Sequence, residues 1–207
     1  MLAEMEQRPV VTPWVATVAE AVTVARLLDA FNREYRTPTP GPAVLATRLR
    51  RLLAGTEVIV LLAGDPALAI ALVTLRPNVW YEGPVALLDE LYVVPELRGR
   101  GLGSALLRAA EAITRQRGGG LLEINVDGQD MNARRFYERH GYTNIEPGQD
   151  QPLLYYYREL TDGRHVLAER HRDAPQSDRS PAHRERQVRR LGLPSGSARN
   201  TIGSRLS

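Results

Sequence analysis

Arg98-Gly99-Arg100-Gly101-Leu102-Gly103 is a turn suited to holding an anion. It follows an apolar run, Val85 to Val94, that reads as a strand, and it opens a stretch, Ser104 to Arg117, that reads as an amphipathic helix. A glycine turn between a strand and a helix N-terminus points backbone N–H groups outward, where the helix dipole favours negative charge. Gly99, Gly101 and Gly103 let that backbone approach a ligand closely, because no side chain stands in the way. The expected ligand is the pyrophosphate of a nucleotide-like cofactor. Arg98 and Arg100 are candidate partners for phosphate oxygens, the alternative being solvated surface charge. Earlier in the same strand, Asp89 and Glu90 are adjacent carboxylates in an apolar setting. Neighbours in a regular strand face opposite sides, and an ionised carboxylate is costly to bury without a partner. At least one of the two is therefore expected to face a wet cleft or an Arg.

The elements that must position these groups follow from the hydrophobic pattern. Val10 to Val15 reads as a short strand, and Pro13 puts it at an edge. Ala16 to Tyr35 has the period of a helix, with Val24, Leu27, Leu28, Phe31 and Tyr35 on one face. Thr37-Pro38-Thr39-Pro40-Gly41-Pro42 breaks it, and a second helix is expected from Ala43 to Ala54. Glu57 to Ala63 and Ala67 to Leu75, joined by Gly64-Asp65-Pro66, read as a hairpin. Arg76 to Pro84 is a loop carrying Trp80, Tyr81 and Glu82. After the glycine turn come a helix, the break Gly118-Gly119-Gly120, and a strand from Leu121 to Val126. A helix from Met131 to His140 follows, with Asp130 as its cap and Gly141 past its end. Leu153 to Arg158 reads as a final strand. The order β-α-α-β-β-β-α-β-α-β is that of an α/β fold, a mixed sheet with helices on its faces.

Composition narrows the chemistry. The chain has 207 residues and no Cys, which excludes disulfides and thiolate metal sites. It has no Lys, so a lysine Schiff base and a phosphate-binding lysine are both impossible. The net charge of +3 is unevenly spread: from Asp162 onward there are ten Arg and five acidic residues. The remainder is near neutral, so composition gives no reason to expect nucleic-acid binding by a core domain. The division expected is a domain over residues 1–160 and an Arg-rich, disordered tail over residues 161–207. No apolar run approaches the ~20 residues of a membrane span, and no signal-peptide pattern opens the chain, so a cytoplasmic protein is expected. Three of the four His fall in the tail, and no spacing suggests a metal site.

Three phosphate-binding patterns compete for the glycine turn. A P-loop needs Gly-Lys-Ser/Thr, which a chain without Lys lacks. A dinucleotide fingerprint needs G-x-G-x-x-G, whereas the glycines here stand at 99, 101 and 103 with Ser104 after them. The third, R/Q-x-x-G-x-G/A, fits Arg98, Gly101 and Gly103. It resembles the acetyl-coenzyme A signature of the GNAT superfamily of N-acetyltransferases. The run from Leu88 to Gly103 looks like that family's fourth strand entering its pyrophosphate loop. Asn132-Ala133-Arg134-Arg135-Phe136-Tyr137-Glu138-Arg139-His140-Gly141-Tyr142 resembles its second cofactor motif, with the Ala one place early. The resemblance covers Val10 to Leu160.

What it implies is transfer of an acetyl group from acetyl-CoA to a primary amine of a small molecule or peptide, by direct attack in a ternary complex and with no metal. The attacking amine must lose a proton, the oxyanion needs donors and the departing thiolate benefits from an acid. By resemblance, Tyr137 is the acid and Asp89 the base through a water, with Glu90 as the alternative base. Backbone amides of Leu91, Tyr92 and Val93 would serve the oxyanion and pair with the pantetheine arm. The cofactor-binding set is completed by Arg98, Gly99, Arg100, Gly101, Leu102, Gly103, Ser104 and Asn132. Phe31, Glu34 and Tyr35, with Trp80, Tyr81 and Glu82, are the candidate acceptor contacts, since aromatics and carboxylates suit a cationic amine. Domains of this kind often dimerise. Two other readings stay open on sequence alone: a non-catalytic acyl-CoA-binding module, and a scaffold whose basic tail makes the interactions.

Overall fold

The computed structural model describes residues 12–158 and 160. The expected tail, residues 161–207, lies outside the described residues. These form two compact units, one up to Asn125 and one from Val126 onward.

The first unit is a five-stranded sheet in the order β1-β2-β3-β4-β5, with strands Trp14–Val15, Val58–Ala63, Ala69–Arg76, Val85–Val93 and Leu121–Ile124. The first three pairings are antiparallel, and β4 with β5 is parallel. The expected first helix begins instead as a 3₁₀ turn, Val18–Glu20, closed by a capping box between Thr17 and Glu20. It continues as α1, Ala21–Glu34. Pro42 opens α2, Pro42–Leu53, at the N-terminal position where a missing N–H is harmless. Asp29, buried on α1, takes hydrogen bonds from Arg33 Nε (2.6 Å) and Thr39 Oγ1 (2.8 Å). These bonds tie the proline-rich link back onto the helix.

Val24, Leu28, Ala46 and Leu49 of α1 and α2 pack on Val60, Leu62, Ile70 and Tyr92. These sheet residues share one face, because side chains alternate along a strand. Ile59, Leu61, Ala71 and Val73 point the other way and are buried. There α3, Leu102–Gln116, packs across β2, β3 and β4 through Leu102, Leu106, Leu107 and Ala110. Burying a leucine such as Leu106 is worth about 1.5–3 kcal/mol. The helix ends in a Schellman motif: Gly118 N–H donates to Arg115 O (2.9 Å) and Gly119 N–H to Thr114 O (2.9 Å). Gly83 lies so close to it that an added Cβ would sit 1.9 Å from the Gly118 carbonyl oxygen. That approach fastens the loop before β4 to the end of α3.

In the second unit α4, Met131–Arg139, is capped by Asp130, whose Oδ1 accepts from Ala133 N–H (2.9 Å). Tyr142 N–H closes on Tyr137 O (3.1 Å), with Gly141 at φ +84°. The expected final strand from Leu153 to Arg158 is a correction. Only the single bridge Ile145↔Pro152 forms, and no sixth strand exists among the described residues. Extending that register would set Tyr155 and Tyr156 against Tyr142 and Gly141. Those residues are held in the helix-terminating turn and have no free extended backbone to pair.

Candidate active site

The site rests on an irregularity in β4. Leu72 of β3 faces Glu90, but the next residue, Val73, faces Leu88. Asp89 is therefore an extra residue, a β-bulge. The bulge overturns the expectation that Asp89 and Glu90 face opposite sides. Glu90 shares the face of its partner Leu72, the face covered by α1 and α2. Asp89 accepts a hydrogen bond from Thr74 Oγ1 at 2.5 Å, and Thr74 is two residues from Leu72 on that same face. Both carboxylates thus lie on one side of the sheet.

Arg76, two residues beyond Thr74, reaches across β4 and pairs with Glu123 of β5. Burial pushes the Asp89 carboxyl above the usual carboxylate range, against the hydrogen bond from Thr74 and the positive charge of Arg76. The group is thus a carboxylate with raised proton affinity. Such a group accepts a proton more readily than a solvated Asp.

The bulge also marks where the sheet opens. β5 pairs with β4 only from Val85 to Leu88. Among the described residues no strand lies along the β5 side of Leu91, Tyr92 and Val93. On that side the Val93 carbonyl accepts from Arg98 Nε (3.0 Å), and the rest of the open edge suits a ligand that can pair like a strand.

Beyond β4, Pro95–Leu97 forms a 3₁₀ turn, Gly99 takes φ +72°, and Gly101 takes φ +91° as the residue preceding α3. The residue before α3 is a glycine, so no N-cap side chain covers the first turn of the helix. A Cβ at Gly99 or Gly101 would meet nothing within 4 Å. The turn is therefore open on its outer side, and these residues fit a pyrophosphate. Arg100 is exposed beside it.

Arg98 is placed differently from the sequence expectation. Its guanidinium pairs with Glu34 at the end of α1 (2.7 Å), its Nε donates to Val93 O (3.0 Å), and it lies 5.8 Å from the centre of the Tyr92 ring. Glu34, read as an acceptor contact, is thus engaged by the first residue of the cofactor turn. Its charge and hydrogen bond, after burial, also hold the Tyr92 phenol above its usual range. Phe31 is partly buried against the core, 5.1 Å from Tyr35 and 5.2 Å from Tyr92, ring centre to ring centre.

Trp80, Tyr81 and Glu82 sit in a separate turn organised by Asn78. Its Oδ1 accepts from the N–H groups of Trp80 (2.9 Å) and Tyr81 (2.8 Å), and its Nδ2 donates to Gly83 O (3.0 Å). Trp80 is 62% exposed. In the second unit, Asn132 is exposed on the first turn of α4. Tyr137 is half-buried, edge-on to Phe136 and Tyr142.

Sequence reasoning missed Thr74, Arg76, Glu123 and Asn78. The signal for the first two was present: polar residues at alternate positions of an otherwise apolar strand must share a face. Among the described residues no three His, Asp or Glu converge to hold a metal ion. No described helix is long and apolar enough to cross a membrane.

Comparison with known proteins adds to this geometry. Residues 24–142 match the acetyltransferase (GNAT) family. The crystal structure of a proposed acetyltransferase from Arthrobacter sp. FB24 is 60% identical, covers 72% of this chain and 96% of its own, and superposes with a TM-score of 0.70. The uncharacterised N-acetyltransferase YhfO of Bacillus subtilis is 28% identical over 61% of this chain and 86% of its own length. Mycothiol acetyltransferase of Beutenbergia cavernae is 38% identical over 34% of this chain, and the matched stretch spans only 25% of that enzyme. The match begins in α1 and runs through the bulged strand and the glycine turn to Tyr142, and on it the chain belongs to the GNAT acetyltransferase family, an acyltransferase by descent and by fold.

Proposed function

We propose that the protein moves an acetyl group from acetyl-CoA to a primary amine of a small molecule or peptide, by direct attack within a ternary complex. Members of the family draw the acetyl group from acetyl-CoA, and acceptors of amine type are implied by that membership. The observation that carries the finer reading is the bulge. It puts a carboxylate of raised proton affinity where β4 parts from β5.

The pyrophosphate would rest on the amides from Arg98 to Ser104, with Arg100 as the nearby cation, and Asn132 is assigned to the same cofactor. Pantetheine would lie along Leu91 to Val93 as an added strand. Asp89 takes a proton from the ammonium form of the acceptor, through a water because its side chain is short. The freed lone pair attacks the thioester carbon, and backbone N–H groups of the same strand segment hold the oxyanion. The C–S bond then breaks. Tyr137 gives its proton to the leaving sulfur, and one of the nitrogen's two remaining protons goes to solvent, leaving the amide N–H. Glu90, on the same face, and the turn from Trp80 to Glu82 supply negative charge and aromatic surface for a cationic acceptor, beside Phe31 and Tyr35.

Thiol release from acetyl-CoA across a panel of primary amines tests the activity. Asp89→Asn tests the base. The folded carboxyl has a raised pKa, so the charge on Asp89 costs stability at neutral pH and activity is lost as pH falls through the raised value. The Asn variant should melt at a higher temperature at pH 7 and lose turnover below the pH where the amine itself is neutral. Full turnover at neutral pH in the variant refutes Asp89 as base.

A further inference from the structure

Asp89 does not stand alone on its face of the sheet. Thr74 and Arg76 occupy alternate positions of β3 beside it, and Arg76 is paired across β4 with Glu123 of β5. Three strands therefore contribute to one line: hydroxyl, carboxylate, guanidinium, carboxylate. We propose that Thr74, Arg76 and Glu123 are positioning residues for the reaction: Thr74 fixes the Asp89 carboxylate, Arg76 supplies a positive charge beside it, and Glu123 limits how much of that charge Asp89 feels. The inference rests on Asp89 as the base.

The geometry gives each member a separate task. A bulged residue has no ladder partner to fix its direction, so the side-chain bond at 2.5 Å does that work. A guanidinium is a permanent positive charge in proteins. A constant charge next to a base would keep it ionised but also weaken it, since a base held too far below the operating pH transfers protons poorly. Glu123, drawn onto the guanidinium, offsets part of that charge. The other ionisable groups of β4 on this face are Glu90 and Tyr92. Glu34 of α1 is held by Arg98 near Tyr92.

The test reads Asp89 directly. Carboxyl ¹³C titration of the full-length protein follows its midpoint, with the signal identified by its loss in Asp89→Asn. Glu123→Gln should move the midpoint down, because Arg76 is no longer offset. Arg76→Gln and Thr74→Val should each move it up, and Arg76→Lys, which keeps the charge, should restore it towards the parent value. In an Arg76→Gln background the Glu123→Gln shift should shrink. An unchanged midpoint, shifts of one sign in Glu123→Gln and Arg76→Gln, or an undiminished shift in the double variant overturns the proposal. The acid limb of kcat/KM is recorded on the same proteins. If midpoints move as expected but the limb does not follow, the base assignment fails while the tuning line stands. If the limb tracks Asp89 but neither ion-pair variant moves the midpoint, the tuning line fails and the base assignment stands.

Discussion

Gly101 and Gly118 stand at opposite ends of α3 with φ +91° and +80°, and a Cβ at either would meet nothing within 4 Å. Replacing each with Ala separates backbone cost from ligand cost. In both variants the residue is forced into the left-handed region, at about 1–2 kcal/mol. For a domain of this size each kcal/mol lowers Tm by roughly 2–4 °C, so both variants should melt about 2–8 °C below the parent. Only Gly101 lies in the turn proposed to hold the pyrophosphate. A methyl group there keeps the pyrophosphate from the α3 amides, and losing one hydrogen bond to a charged group costs about 1.5–3 kcal/mol. The Kd for coenzyme A should then rise roughly 10- to 100-fold in Gly101→Ala. In Gly118→Ala it should stay within about twofold, since its backbone cost falls on the other end of the helix. Thermal unfolding without ligand and calorimetric titration with coenzyme A read the two quantities separately. Equal affinity losses in both variants, or none in Gly101→Ala, would show that the turn does not hold the pyrophosphate.

Two further outcomes are expected. Tyr137→Phe keeps the ring packing on Phe136 and Tyr142, so it should lower kcat by about 10²-fold or more, typical of a lost general acid, with little change in acetyl-CoA affinity; unchanged steady-state rates remove Tyr137 from the reaction. Gly83→Ala drives a methyl group into the Gly118 carbonyl, so denaturant unfolding should show a loss of about 1–3 kcal/mol, and a stability equal to the parent would contradict the close approach.

Local rules carried most of the fold. Helix α4 was legible because its cap, Asp130, and its terminator, Gly141, are residues whose own chemistry starts and stops a helix. The hairpin of β2 and β3 was legible because Gly64-Asp65-Pro66 interrupts two apolar runs that can fold back on each other. The shape of the glycine turn was legible for the same reason, since Gly99 and Gly101 take the positive φ that glycine favours. Features that depend on register were not. Nothing in Leu88-Asp89-Glu90 distinguishes a bulged strand from a regular one, so the two carboxylates read as facing apart. The aromatic run Tyr155-Tyr156-Tyr157 has the composition of a strand, but strand propensity reflects neighbours to pack against, and its partner backbone is already used to end α4. Arg98 was read from its motif as a phosphate partner; Glu34, 64 residues earlier, holds it, and no local pattern reports such a pair.

The bulge at Asp89 has a meaning for how this strand could change. The pairings on either side of it differ by one, so removing Asp89 would bring Val85–Leu88 and Glu90–Val93 into a single unbroken ladder with β3, every remaining side chain keeping its face. Asp89 is the one residue of β4 that the sheet does not require. The carboxylate proposed as the base is thus removable without redesign of the scaffold around it.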